Sequence, residues 1–252
     1  MAKGREAMRL KSWMVLVIAL LMTAGVRAQQ VIEDKTPASR TQRIVLVGDS
    51  TMNHSTGWGS GFCDDLAGDV ECFNMARNGR SSKSYRTDGF WARALALKPT
   101  YMLIGFGAND VPGKGPERET DPKTTFYANM KAYVLEARAA GAKPILVTPM
   151  ETRKYDKAGK LVQDYDDYAA AIRKVGEDTS TPVIDLYARS IAYLETLTQA
   201  QADALNHVDP TKPEVIDRAH MNRKGSALIG GFVAEGLMTA EPALAKSVRE
   251  QQ

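Results

Sequence analysis

Short runs of unbroken apolar residues, none longer than a strand, are separated along this chain by longer stretches with helical periodicity. The runs lie at 44–47, 101–106, 144–148 and 182–186, with a weaker fifth at 70–73. Runs this short and this apolar are expected where both faces of a strand are covered, as in a parallel sheet flanked by helices. Helical patterns fill 57–67, 89–97, 122–140, 164–178 and 223–237. In the third, Phe126, Met130, Tyr133, Val134 and Ala137 recur at helical spacing, and Gly141 stops the pattern. Strand then helix, repeated, predicts one α/β domain with a parallel central sheet of about five strands.

The N-terminus follows a different logic. Lys3, Arg5, Arg9 and Lys11 precede an apolar run at 13–25, and Val26-Arg27-Ala28 ends it with small residues at the positions a signal peptidase reads. The run is shorter than the roughly 20 residues a membrane-spanning helix needs. This layout predicts a signal peptide at 1–28, and hence a secreted or periplasmic protein without a membrane attachment after cleavage; an uncleaved anchor is the rival reading. Residues 29–43 read as a flexible lead-in, 44–240 as the domain and 241–252 as a C-terminal tail. Residues 1–28 hold five cations (Lys3, Arg5, Arg9, Lys11, Arg27) and one anion (Glu6), so the formal net charge of +3 becomes −1 without them. A near-neutral chain gives no electrostatic case for nucleic acid or for an anionic membrane.

Two cysteines, Cys63 and Cys72, are present, and export would place them where a disulfide persists. A short loop of this kind is worth about 2–3 kcal/mol when closed. Two cysteines without a histidine cluster make a poor zinc site, and neither metal nor cofactor is expected.

Ligands of open parallel sheets collect outside the carboxyl ends of the strands. Those positions are unusually polar here. Gly48-Asp49-Ser50-Thr51 follows the first run, Asn74-Met75-Ala76-Arg77-Asn78-Gly79-Arg80-Ser81-Ser82 follows the 70–73 run, and Gly107-Ala108-Asn109-Asp110 follows the next. Any one of them alone reads as a strand-end turn or a helix cap; three on successive strands suggest a site. A serine nucleophile needs a base, most often a histidine held by a carboxylate. Of the three histidines, His54, His207 and His220, only the last has a carboxylate three residues before it, Asp217. A helix or tight turn there would put both side chains on one side. His54, four residues after Ser50, is the rival base, and a capping role for His220 is the bland alternative. The Gly-x-Ser-x-Gly elbow of α/β-hydrolases is missing.

Gly48-Asp49-Ser50-Thr51, Asn78-Gly79, Gly107-Ala108-Asn109-Asp110 and Asp217-Arg218-Ala219-His220 resemble, in order, the four sequence blocks of the SGNH/GDSL hydrolases. Within that superfamily the chain looks most like the rhamnogalacturonan acetylesterases, from Thr51 after the Gly-Asp-Ser turn, Gly57-Trp58-Gly59, Asn78-Gly79-Arg80-Ser81-Ser82 and Val147-Thr148-Pro149. The resemblance implies a flavodoxin-like three-layer α/β/α sandwich. It makes Ser50 the nucleophile, His220 the base and Asp217 its partner, and it places the N–H groups of Ser50 and Gly79 and the Asn109 amide in the oxyanion hole. One departure is Ala108, where many of the acetylesterases carry histidine. The implied activity is removal of O-acetyl groups from plant cell-wall polysaccharide by a monomer. Arg77, Arg80, Lys83 and Arg86 could then meet a galacturonate carboxylate, and Trp58 or Trp91 a sugar face. As surface charges and core aromatics, these same residues need no substrate. The same scaffold also admits lipid acyl esters, thioesters or peptides, and a carbohydrate-binding protein without catalysis is the reading from another class.

Overall fold

The computed structural model describes residues 42–249; the expected signal peptide and residues 29–41 of the expected lead-in lie outside them. Gln42 and Arg43, expected in the lead-in, instead open the first strand, β1 (Gln42–Gly48), pairing with Val70 and Glu71. The other sheet strands are β2 (Val70–Asn74), β3 (Tyr101–Gly105), β4 (Lys143–Val147) and β5 (Val183–Ile184). All pair in parallel, in the order β2-β1-β3-β4-β5. That is the flavodoxin-like doubly wound order, with the direction of winding reversing at β1.

Strand alternation divides the core in two. Ile44, Leu46, Leu103, Ile145 and Val147 face one layer, Val45, Val47, Met102, Ile104 and Leu146 the other. The first layer includes α1 (Gly59–Asp64), α6 (Leu186–Leu194) and α8 (Arg223–Ala240), through Phe62, Leu186, Ile229 and Val233. The second includes α3 (Phe90–Ala96), α4 (Thr125–Ala139) and α5 (Asp166–Thr179). Phe126, Met130, Tyr133, Val134 and Ala137 are the buried face of α4, as its periodicity predicts. Its end is closed by Gly141 at φ +82°, with the Ala142 N–H reaching the Ala137 carbonyl at 3.0 Å. There are also short helices, α2 (Ser84–Thr87) and α7 (Gln199–Asp203), and an antiparallel pair, β6 (Asn206–His207) with β7 (Asp217–Met221).

Two expected boundaries shift for local reasons. The 182–186 strand is cut to two residues because Asp185 accepts the Ala188 N–H and starts α6 at Leu186. The expected C-terminal tail is packed: Pro242–Ser247 is a 3-10 helix with Leu244 buried, and the Arg249 N–H reaches the Asp65 carbonyl at 2.8 Å. Cys63 and Cys72 are bonded, with Cα atoms 5.8 Å apart, tying α1 to the edge strand β2.

The contact of α1 with α8 is made by glycine. A Cβ at Gly230 would lie 2.3 Å from the Phe62 nitrogen and 2.5 Å from the Gly61 carbonyl carbon, well inside van der Waals contact distance. Alanine in a helix interior ordinarily gains about 1 kcal/mol over glycine. Here the overlap with backbone that cannot swing away should reverse the sign. Gly230→Ala is expected to lose about 1–3 kcal/mol, read as a lower urea midpoint at unchanged m-value.

Candidate active site

The turn after β1 is shaped by Asp49. Its Oδ1 accepts both the N–H of Thr51 at 2.8 Å and its hydroxyl at 2.7 Å, folding the chain back so that Ser50 sits at the tip. Asp49 is buried, and burial pushes its carboxyl up against the opposing pull of the Thr51 bonds and of His220. Ser50 is 8% exposed. Trp58 donates its N–H to the Thr51 carbonyl at 2.9 Å, but its ring is 2% exposed and packs against Phe62. Trp91 is buried as well, its indole N–H bonded to Glu136. Neither ring offers a face to a sugar, so the expected substrate contact of Trp58 is withdrawn in favour of its core role.

The loop after β2 is laid across the end of β1. Arg77 donates its N–H to the Gly48 carbonyl at 3.0 Å, and the Asn74 amide reaches the Met52 carbonyl at 2.8 Å. Asn53, three residues beyond Ser50, donates to the Asn78 side chain and accepts the N–H groups of Thr56 and Gly57. Gly79 follows at φ +68°, a conformation that favours glycine. After β3, Asn109 is 7% exposed and its amide makes one long bond, 3.3 Å, to the Arg80 carbonyl. Asp110 is fully buried and accepts from the Ser82 N–H, the Ser82 hydroxyl at 2.6 Å and the Thr120 hydroxyl at 2.8 Å. Burial pushes its carboxyl up to about 7 despite those donors.

The histidine arrives on β7. His220 Nδ1 lies 2.7 Å from Asp217 Oδ2, and Asp217 Oδ1 accepts the N–H groups of Ala219 and His220, both at 3.0 Å. The segment is thus an irregular strand closed by its own aspartate, rather than the helix or regular turn that the spacing suggested. Burial pushes Asp217 up, but the His220 N–H and ring outweigh it and hold the carboxyl below its ordinary value. Met221 donates its N–H to the Thr56 carbonyl at 2.7 Å, stitching β7 to the Ser50 loop. No hydrogen bond joins the Ser50 hydroxyl to His220 among the described residues. Nor do the N–H groups of Ser50 and Gly79 find a protein acceptor among them. His54 is exposed and has no carboxylate partner among the described residues.

Two clefts open among these loops, and Ser50 itself lines neither. One of about 430 Å³ is lined by Asn53, His54, Arg77, Asn78, Arg80 and Phe90. Arg80 is paired there with Asp88 at 2.6 Å, while Arg86 is bound to Glu136 and Lys83 to the Pro116 carbonyl. Arg77 is exposed, stacks over Phe90 and has no carboxylate partner among the described residues. The other, of about 990 Å³, reaches Ala219 and is acidic, with Glu119, Asp121, Asp164, Asp166 and Asp167 against Lys114. Glu151 stands behind it, fully buried, accepting the N–H groups of Thr152 at 2.7 Å and Tyr165 at 3.2 Å. Neither Glu151 nor its neighbour Arg153 stands out in the sequence, because neither belongs to a motif or carries a periodic pattern in the loop that follows β4. Their one signal is position at a strand's carboxyl end.

A doubly wound sheet with Ser, Gly, Asn and His gathered at its switch point defines a hydrolase scaffold. Residues 39–228 match the GDSL-like Lipase/Acylhydrolase family, and the chain belongs to it; it is a carboxylic ester hydrolase. Among its relatives is the probable rhamnogalacturonan acetylesterase YesY of Bacillus subtilis, 28% identical over 83% of this chain and 98% of that protein. The rhamnogalacturonan acetylesterase RhgT of the same organism is 29% identical over 77% of this chain and 89% of its own length. In fold it is similar to the crystal structure of the B. subtilis protein YxiM, with a TM-score of 0.66 and 24% identity, over 79% of this chain but only 57% of that one.

The buried Glu151 makes stability depend on pH. Burial lifts its carboxyl to about 7 in the folded protein, whereas an unfolded glutamate releases its proton near the ordinary value of 4.5. Between those values the folded state holds the extra proton, so this group's contribution falls as pH rises. Relative to Glu151→Gln, the wild-type protein should lose stability steadily from pH 5 to 7 in urea unfolding; parallel curves for the two proteins would refute the buried, raised carboxyl.

Proposed function

We propose that the protein is an exported serine esterase that removes O-acetyl groups from plant cell-wall polysaccharide of the rhamnogalacturonan or pectin type. The observation that carries this is the 2.7 Å contact of His220 Nδ1 with Asp217, on a strand bonded to the Ser50 loop. With Nδ1–H given to Asp217, Nε2 is left as the base. It takes the Ser50 proton as Oγ attacks the acetyl carbon. The N–H groups of Ser50 and Gly79 and the Asn109 amide receive the oxyanion. Collapse releases the sugar hydroxyl with the proton from His220; water, activated by the same histidine, then frees acetate and restores Ser50. The single long bond of Asn109 leaves its amide ready to turn to the oxyanion.

The acetyl and polysaccharide parts of the reading draw on the relatives, among them RhgT, named a rhamnogalacturonan acetylesterase, and YesY, named a probable one. Arg77 supports the pectic form, since a cation without a carboxylate partner among the described residues, on the loop bonded to the Gly48 carbonyl, suits a uronate. Export rests on the N-terminal charge and apolar pattern and fits the disulfide.

Acetate release from acetylated rhamnogalacturonan, homogalacturonan and xylan tests the substrate. The pectic polymers should be preferred and aryl esters should react more slowly as the acyl chain lengthens; a preference for long acyl chains would sink the reading. Ser50→Ala should abolish turnover, and Asn109→Ala should lower kcat by about 10²–10³-fold with the fold intact by circular dichroism.

A further inference from the structure

The β6–β7 pair is too irregular to hold the histidine by itself. Asn206 pairs with Met221 and His207 with Asp217, so the residues between, Arg218, Ala219 and His220, bulge from a ladder that has only two rungs. On the donor side the bulge is closed by Asp217, which accepts the N–H groups of Ala219 and His220. On the acceptor side it is closed by one residue from another part of the chain. Arg153 donates its backbone N–H to the Arg218 carbonyl at 3.1 Å and its guanidinium to the His220 carbonyl. These two carbonyls lie two residues apart, so Arg153 takes the place of the missing neighbouring strand.

The same guanidinium donates to the Asn206 side chain at 2.6 Å, which fixes the opposite rung of the pair. Arg153 is 2% exposed and lies nearest in charge to Asp217 and Asp203. Asp203 in turn holds Arg218 by two bonds, of 2.9 and 3.0 Å, and accepts from Asn206 and Gln199. Gln199 returns to the Arg153 carbonyl at 3.0 Å. A buried cation this costly to desolvate, aimed at the backbone oxygen of the histidine itself, needs a reason beyond packing.

We propose that Arg153 is a positioning residue: its forked guanidinium holds the His220 backbone and Asn206 together, and so sets the direction in which the imidazole faces Ser50. The proposal rests on the assignment of His220 as base. A displacement of about 1 Å at such a group is enough to cost about 10²-fold in rate while leaving substrate binding alone.

The test compares Arg153→Met, Arg153→Lys and His220→Ala on an acetyl ester, together with the proton NMR resonance of the hydrogen between His220 Nδ1 and Asp217. Expected is a kcat about 10²-fold lower for Arg153→Met at a KM within about twofold, with that resonance shifted or lost. Arg153→Lys, which keeps the charge but loses the fork, should recover part of the rate. Should Arg153→Met fail to fold, Arg153→Lys alone decides, by a loss of about three- to tenfold in kcat and a shifted resonance. A folded variant with wild-type kcat, or one whose rate falls while the resonance stays in place, overturns the proposal. An active His220→Ala would instead remove the assignment of the base, and the proposal with it; an inactive His220→Ala beside a fully active Arg153→Met overturns the proposal alone.

Discussion

The placing of Ser50, Gly79 and Asn109 depends on β1 having a neighbour on each side. Ile44 and Leu46 pair with Cys72 and Asn74 of β2 on one edge and with Tyr101 and Leu103 of β3 on the other, all in parallel. Three carboxyl ends therefore finish side by side, and the loops leaving them have no sheet to continue into. Their polar backbone must be satisfied locally, and the bonds that do so also bring the loops together. The Arg77 N–H on the Gly48 carbonyl and the Asn53 side chain on Asn78 draw the second loop toward the first; Ser82 on Asp110 draws the third toward the second. Ser50, Gly79 and Asn109 are close because parallel pairing leaves them nowhere else to be.

The histidine stands outside this logic. It reaches the site on a chain segment that joins the sheet at no point, over a hairpin whose exposed loop includes Val208, Val215 and Ile216. Contacts that a sheet would supply are replaced by side chains: Asp217 for the N–H groups, Arg153 for the carbonyls, and the Met221 N–H bond to Thr56 for the attachment to the Ser50 loop. The site is therefore assembled in two ways: Ser50, Gly79 and Asn109 by loops that leave the central sheet, and His220 by side chains that stand in for one.

This division also explains what the sequence reveals. Strands buried on both faces leave runs that cannot be mistaken, so the sheet, the faces of α4 and the blocks around Ser50, Gly79 and Asn109 are legible. Asp217 and His220 are legible by spacing, although the conformation that joins them is not, since an aspartate that accepts its own downstream N–H groups serves a strand as well as a turn. Asp185 hides a helix start inside an apolar run, and Leu244 buries a segment that composition alone marks as a tail. Trp58 shows the limit from the other side: an aromatic beside a reactive loop carries no mark that says whether it faces inward. Arg153 is the least legible, because its task is set by a bulge some sixty positions further on, and no local pattern records it.

The carboxylates around the site show why burial matters to the chemistry as well as to the fold. On the proposed mechanism, a negative charge next to Asn109 would oppose the oxyanion there, and in a dry site such repulsion is large. Asp49 and Asp110 are both close, yet both are lifted above their ordinary values, chiefly by burial, with Asp49 adding to the rise at Asp110. Their donors, Thr51, Ser82 and Thr120, are hydroxyls and amides that hold a carboxyl in place without adding a cation. Asp217 is treated in the opposite way: half-exposed and bonded to His220, it is held down. On the proposed mechanism, Asp217, held in its charged form by His220, is the carboxylate that would stabilise an imidazolium, while burial disfavours charge at Asp49 and Asp110. Two carboxylates are needed for shape and one for charge, and the depth of each in the fold decides which it is.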